Sequence, residues 1–146
     1  MGKRKRIGVY INMLNCKLIR LLSANFKKNG INLTSEQFIV MDTLWRQGKM
    51  PQGSIAAMMH KDKNSITQFI DSLEKKKLVR RCERPVDRRV KDIEVTEEGE
   101  ALRERTIEVA TDTMCNVLKG FSSEELDSLE RILSLIDANI DNAEEA

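Results

Sequence analysis

At 146 residues, 40% hydrophobic and 33% charged, the chain is about one domain long and able to bury roughly 70% of its unfolded surface, which excludes a disordered or membrane-embedded protein. Six aromatics and seven glycines are too few for a β-sandwich or barrel, leaving a mainly helical protein. The net charge of +2 conceals ten Lys/Arg against two acids in residues 1–60, eleven against five in 61–91 and four against sixteen in 92–146, an asymmetry that fits either a polyanionic partner on one side or two solvated faces.

Ile7, Ile11, Leu14, Leu18 and Leu21 recur at steps of three and four, while Val9, Met13, Cys16, Ile19, Leu22 and Phe26 run down the opposite side. The spacing predicts a helix that its own domain and a second subunit must both cover, ended by Asn29-Gly30. Thr34 and Gln37 form a capping box before a helix with Phe38, Met41, Leu44 and Trp45 inside, ending near Gly48. Lys49-Met50-Pro51 reads as a break. From Gln52 a short helix carries Ile55, Ala56 and Met59 to a turn at His60-Lys61, and Asp62 caps a longer helix with Ile66, Phe69, Ile70 and Leu73 inside. Asn64, Gln68, Asp71 and Lys75 share that helix's other face.

The runs Leu78 to Arg84 and Val90 to Val95 are predicted strands, joined by a turn at Pro85-Val86-Asp87-Arg88. Thr96 caps a long helix with Leu102, Val109, Ala110, Met114, Val117 and Leu118 on one face, ended by Gly120. Ser122 and Glu125 box the start of a last helix with Leu126, Leu129, Ile132, Leu133, Ile136 and Ile140. The expected fold is mainly α with a small β-hairpin wing (α+β). A winged helix-turn-helix at 34–96 lies between dimerisation helices from both chain ends, 1–33 and 97–146, in a single compact protomer.

A helix-turn-helix places the start of its second helix against base edges in the major groove. Here that start carries Lys63, Asn64, Ser65, Thr67 and Gln68. Asn and Gln pair bidentately with adenine, Lys donates to guanine, and Ser and Thr adapt to either. Arg80, Arg81, Arg84, Arg88, Arg89 and Lys91 then crowd a tight turn opposed only by Glu83 and Asp87. Arginine at the tip of a β-turn matches the negative potential of a narrow minor groove. Either feature alone is also a plain solvated surface; their succession is specific for duplex DNA.

Other chemistries find little support. Cys16, Cys82 and Cys115 lack any C-x-x-C pair, and His60 is the only histidine, so neither a disulfide framework nor a metal site is expected and the compartment is a reducing cytoplasm. No apolar run has the length of a membrane span. Without a P-loop, a G-x-S-x-G elbow or a converging acid–base pair, no catalytic residues are assigned, no cofactor is expected, and an enzyme is excluded. His60, Trp45 and the KRKR run at 3–6 read as surface, core and solvated tail respectively.

From Leu33-Thr34 to Gly99 the chain resembles the MarR family of winged-helix regulators. The resemblance rests on Asp62-Lys63-Asn64-Ser65-Ile66-Thr67-Gln68, Leu73-Glu74-Lys75-Lys76, Asp87-Arg88-Arg89 and Val95-Thr96-Glu97-Glu98-Gly99. The sequence departs at Lys77, where the family commonly has a helix-ending glycine. The resemblance implies a homodimer on a pseudo-palindromic double-stranded DNA operator, commonly as a repressor, with half-sites on the order of 10 base pairs apart. Asp87 would orient Arg89 into the minor groove, while Arg84 and Arg88 would hold phosphates.

Many relatives release DNA on binding a small aromatic or phenolic molecule; no effector-binding residue is assigned here. Others respond to oxidation of a first-helix cysteine, which makes Cys16 the candidate thiol. Its apolar stripe reads as burial, and Cys82 and Cys115 read as packing residues. A redox regulator and a winged-helix protein-interaction module are the alternatives.

Overall fold

The computed structural model describes residues 2–145; Met1 and Ala146, the outermost residues of the expected dimerisation segments, lie outside the described residues. In chain order the elements are α1 (Lys3–Lys28), α2 (Ser35–Gln47), β1 (Met50–Pro51), α3 (Gln52–Met59), α4 (Lys63–Lys75), β2 (Val79–Glu83), β3 (Lys91–Val95), α5 (Glu97–Ala101), α6 (Arg103–Val117) and α7 (Ser123–Glu145). They form two compact units, residues 1–113 and residues 114–146.

Local capping fixes most boundaries. Thr34 Oγ1 accepts from the Gln37 backbone N–H while Gln37 Oε1 accepts from the Thr34 N–H, both at 3.1 Å. Ser122 and Glu125 make the same exchange at the start of α7. Asp62 caps α4 and Thr96 caps α5. The end of α4 closes with Lys77 at φ 65° and a Leu78 N–H to Leu73 carbonyl bond of 3.0 Å. Lys77 thus takes the left-handed backbone that glycine adopts more readily, and the helix ends as it would with glycine there.

The core of the first unit joins Phe26, Met41, Leu44, Trp45, Ile55, Ile66, Ile70, Leu73, Val79 and Ile93, all buried. Phe38, Ala56, Met59 and Phe69, expected inside, are half-buried against it. Gly99 packs so closely on the end of α4 that a methyl there would sit on the Leu78 carbonyl oxygen and 2.7 Å from Val95 Cγ1. Its carbonyl accepts from Trp45 Nε1 at 3.3 Å.

The hairpin is the larger part of a three-stranded antiparallel sheet ordered β1-β3-β2, with Met50 opposite Ile93 and Arg81 also opposite Ile93 on the other edge. The expected break at Lys49-Met50-Pro51 therefore contains a strand. Two residues carry no periodicity, and proline is tolerated on an edge where its missing N–H faces outward. The long helix expected after Thr96 is interrupted at Leu102, whose N–H bonds back three residues to Gly99 at 3.2 Å, tightening one turn into a bend between α5 and α6.

The apolar surplus is larger than the sequence reading allowed. Along α1 only Phe26 is buried, and Ile7, Val9, Tyr10, Ile11, Met13, Leu14 and Leu21 are exposed. In the second unit α7 buries no residue, and Leu126, Ile132, Leu133, Leu135 and Ile140 are exposed. Cys16, expected to be buried, is exposed: of its stripe only the C-terminal part, from Ile19 through Leu22 to Phe26, is covered by its own chain, while Val9, Met13 and Cys16 are not. Cys115, expected to pack, is exposed as well, and Cys82 is partly buried. No described helix is long and apolar enough to cross a membrane.

Among the described residues one buried side-chain polar atom is unmatched: Thr106 Oγ1 on α6, in a fully buried residue, has no hydrogen-bond partner there. Thr106→Val keeps the shape and removes a desolvated hydroxyl, so stability should rise by about 1 kcal/mol. A thermal melt should then show Tm higher by about 2–4 °C; a lower Tm would mean that the hydroxyl has a partner in solution.

Candidate nucleic-acid interface

The helix-turn-helix is α3, a turn, and α4. His60 turns the chain at φ 52°, and the Lys61 N–H bonds back to the Ala56 carbonyl at 3.1 Å. Asp62 Oδ1 then accepts the Ser65 backbone N–H at 2.7 Å, and this bond, followed by one from the Ser65 hydroxyl, holds the Asp62 carboxyl below its ordinary range. Asp62 is thereby a cap, which leaves the residues after it to meet a ligand.

Of the five predicted base readers, Lys63, Asn64, Thr67 and Gln68 are exposed and Ser65 is half-buried. They form one polar surface along the first two turns of α4. Thr67 differs from the rest: its hydroxyl donates to the Lys63 carbonyl at 2.8 Å and accepts from Gln52 Nε2 at 3.0 Å. That hydroxyl already has internal partners.

The wing separates its six cations into two kinds. Arg80 pairs with Glu94, Arg81 with Asp71 and Glu74, Arg84 with Asp92, and Lys91 with Glu83. Arg84 Nε lies 2.9 Å from Asp92 Oδ1 and neutralises a carboxylate buried on the central strand. Its predicted phosphate role is secondary to that structural one. The guanidiniums of Arg88 and Arg89 are exposed and have no carboxylate within ion-pair distance among the described residues.

The tight turn lies two residues later than expected. The Val90 N–H reaches the Asp87 carbonyl at 3.2 Å, and Asp87 Oδ1 accepts the Arg89 backbone N–H at 3.0 Å. Aspartate holding the N–H two residues on is a local turn device that outcompetes the Pro85 signal. Asp87 therefore orients Arg89 through its main chain, and Arg88 and Arg89 occupy the central positions of the turn. Val86, beside Pro85, is 98% exposed.

Between α3, α4 and the wing runs an open groove of about 620 Å³ whose cations are Lys63, Arg84, Arg89 and Lys91. Its remaining wall includes Gln52, Gly53 and Ser54 at the start of α3. That helix start has Pro51 as its N-cap and no side-chain cap, so its first N–H groups are open to an anion. Sequence reasoning missed these three residues; the available signal was the absence of Ser, Thr, Asp or Asn before them. Lys63 and Arg89, one from each predicted half of the site, are brought to the same groove.

Cys82 stands on β2, where burial and, after it, the Glu94 carboxylate push its thiol up, away from the reactive thiolate. Among the described residues no three His, Cys, Asp or Glu side chains converge as a metal-ligand cluster.

A three-stranded wing beside a helix with an open polar face defines a winged helix-turn-helix protein built to meet duplex DNA. The MarR family model matches residues 33–91, and over 146 aligned positions the chain is 30% identical to the HTH-type transcriptional regulator PecS of Dickeya dadantii (strain 3937), spanning 97% of this chain and 82% of that protein. The chain belongs to the MarR family of DNA-binding transcriptional regulators, which are not enzymes.

Its fold is similar to that of a mutant MarR from E. coli complexed with operator DNA, at a TM-score of 0.81 and 24% identity over 90% of this chain and 93% of that one. It is also similar to Bordetella bronchiseptica BpsR, whose DNA binding is regulated by 6-hydroxynicotinic acid, at a TM-score of 0.81 and 20% identity over 94% and 96% of the two chains.

Proposed function

We propose that this protein is a cytoplasmic, homodimeric repressor that binds a pseudo-palindromic operator and leaves it when a small aromatic molecule binds. The observation that carries this reading is the pair of unneutralised arginines, Arg88 and Arg89, at a turn that shares a groove with Lys63 of α4. Lys63, Asn64, Ser65 and Gln68 read bases in the major groove, joined by Thr67, whose hydroxyl is held internally. Arg89 enters the minor groove with its main chain fixed by Asp87, and Arg88 holds a phosphate. Arg84 and the open N–H groups at the start of α3 hold neighbouring phosphates.

Segments 1–33 and 97–146 supply the dimer, leaving 34–96 to DNA. Exposed apolar faces on α1 and α7 support this, since contiguous patches of that kind mark interfaces. The DNA complex of E. coli MarR supports the partner, and the regulation of BpsR supports an aromatic effector. The exposure of Cys16 favours one second reading, a thiol switch in α1. Peroxide-dependent loss of DNA binding that Cys16→Ser abolishes would establish it.

Light scattering together with a salt titration of DNA affinity tests the main reading. The mass should be twice the 16.7 kDa of the chain, and log affinity should fall with log salt at a slope near −0.9 per phosphate neutralised. A monomer would remove the dimer, and a nearly flat salt dependence would remove the DNA reading in favour of a protein partner.

A further inference from the structure

Arg81 belongs by sequence to the wing's basic cluster, yet its side chain is only 22% exposed and runs away from the turn. Its Nη2 lies 2.7 Å from Asp71 Oδ1 and its Nη1 2.8 Å from Glu74 Oε1, both on α4. Its main-chain N–H donates to Glu74 Oε2 at 3.3 Å, and its Nε donates to Gln52 Oε1 at 3.4 Å. Gln52 in turn donates to the Thr67 hydroxyl, which donates to the Lys63 carbonyl. One guanidinium thereby links the wing strand β2, the start of α3 and two separate turns of α4.

A protein that reads a major and an adjacent minor groove must hold its two reading elements at a fixed separation. If they move independently, each binding event pays an ordering cost for the second contact. The planar fork of arginine can hold two carboxylates and an amide at once, which the point charge of lysine cannot.

We propose, building on the DNA-binding reading above, that Arg81 is a positioning residue for recognition: it fixes the wing against α4 so that Arg89 and the base readers of α4 engage one duplex together. Arg81 itself touches no DNA. The same network explains why Gln52 and Thr67, though placed at the interface, have their polar groups turned to one another.

The test uses the full chain as wild type, Arg81→Lys, Arg89→Ala and the double variant, against the duplex that the wild type enriches from a random pool. Arg81→Lys keeps the charge and breaks the fork, and should weaken binding about tenfold with its salt slope unchanged. In the Arg89→Ala background the same change should cost less than about threefold, because a wing without its groove-entering arginine gains little from being held. Glu74→Gln, which loosens the brace from the α4 side, should reproduce this pattern, including where Arg81→Lys folds poorly.

Equal losses in both backgrounds, or a salt slope reduced by one phosphate per subunit, would overturn the proposal by making Arg81 a direct or merely structural contact. Wild-type affinity in both Arg81→Lys and Glu74→Gln would overturn it as well. A wild type that enriches no duplex would instead bring down the DNA-binding reading, and the brace with it.

Discussion

Arg89→Ala is expected to weaken operator binding by about 1–3 kcal/mol per subunit, or about 2–6 kcal/mol on a two-fold site where both wings lose the contact. Arg89 sits in the exposed centre of the Asp87–Val90 turn, and no carboxylate neutralises its guanidinium among the described residues. Its full charge is available to the narrow groove, where the potential is most negative. Lys91→Ala provides the contrast. Lys91 already pairs with Glu83 at 2.7 Å, so its loss should change affinity much less. Anisotropy titrations of both variants at one salt concentration decide the matter, and equal losses would mean that pairing does not sort the wing's cations by function.

The second large effect concerns stability. A glycine within a helix ordinarily gains about 1 kcal/mol on replacement by alanine, so Gly99→Ala would raise Tm if Gly99 were an ordinary helical residue. Here the added methyl would overlap the Leu78 carbonyl oxygen and crowd Val95 Cγ1. Yielding is difficult, because Leu78 O also accepts the Thr96 N–H at 3.1 Å and Thr96 Oγ1 bonds the Lys77 carbonyl at 2.6 Å. Overpacking against backbone costs about 3 kcal/mol at the upper end of its usual range. At about 2–4 °C per kcal/mol, Tm should fall by roughly 6–12 °C. A Tm equal to or above wild type would show that α5 can lift off the end of α4 without loss.

What the sequence disclosed was what local chemistry decides. Both capping boxes, the Asp62 and Thr96 caps, the glycine ends at Gly30 and Gly48 and the polar face of α4 depend on residues within one or two turns, and each stands where periodicity placed it. The order of the elements and the place of the wing were legible from the same local signals, and the resemblance to the MarR family added the expected operator and the roles of Asp87 and Arg89. Strand β1 escaped because two residues have no alternation, and the turn was placed early because Pro85 is a louder signal than an aspartate bonding its own main chain.

The wing shows the deeper limit. Six cations look alike in a string of letters, but tertiary pairing makes four of them structural and leaves Arg88 and Arg89 open. The carboxylates that decide this, Asp71, Glu74, Glu83, Asp92 and Glu94, come from three elements. Spacing likewise marked Cys16 as apolar without saying whether its cover came from its own chain, and in this chain it is exposed. The groove at the start of α3 was hidden for the same reason, since an absent cap becomes a site only when Lys63 and Arg89 stand opposite it.

The central claim is that α4 and the wing read one two-fold DNA site together. Selection of bound duplexes from a random pool, run in parallel with the wild type and Arg89→Ala, tests it most directly. The wild type should enrich a pseudo-palindrome with half-sites on the order of 10 base pairs apart, and Arg89→Ala should lose enrichment at the positions flanking each half-site. Identical enriched sequences from both proteins, or none from the wild type at low salt, would contradict the account.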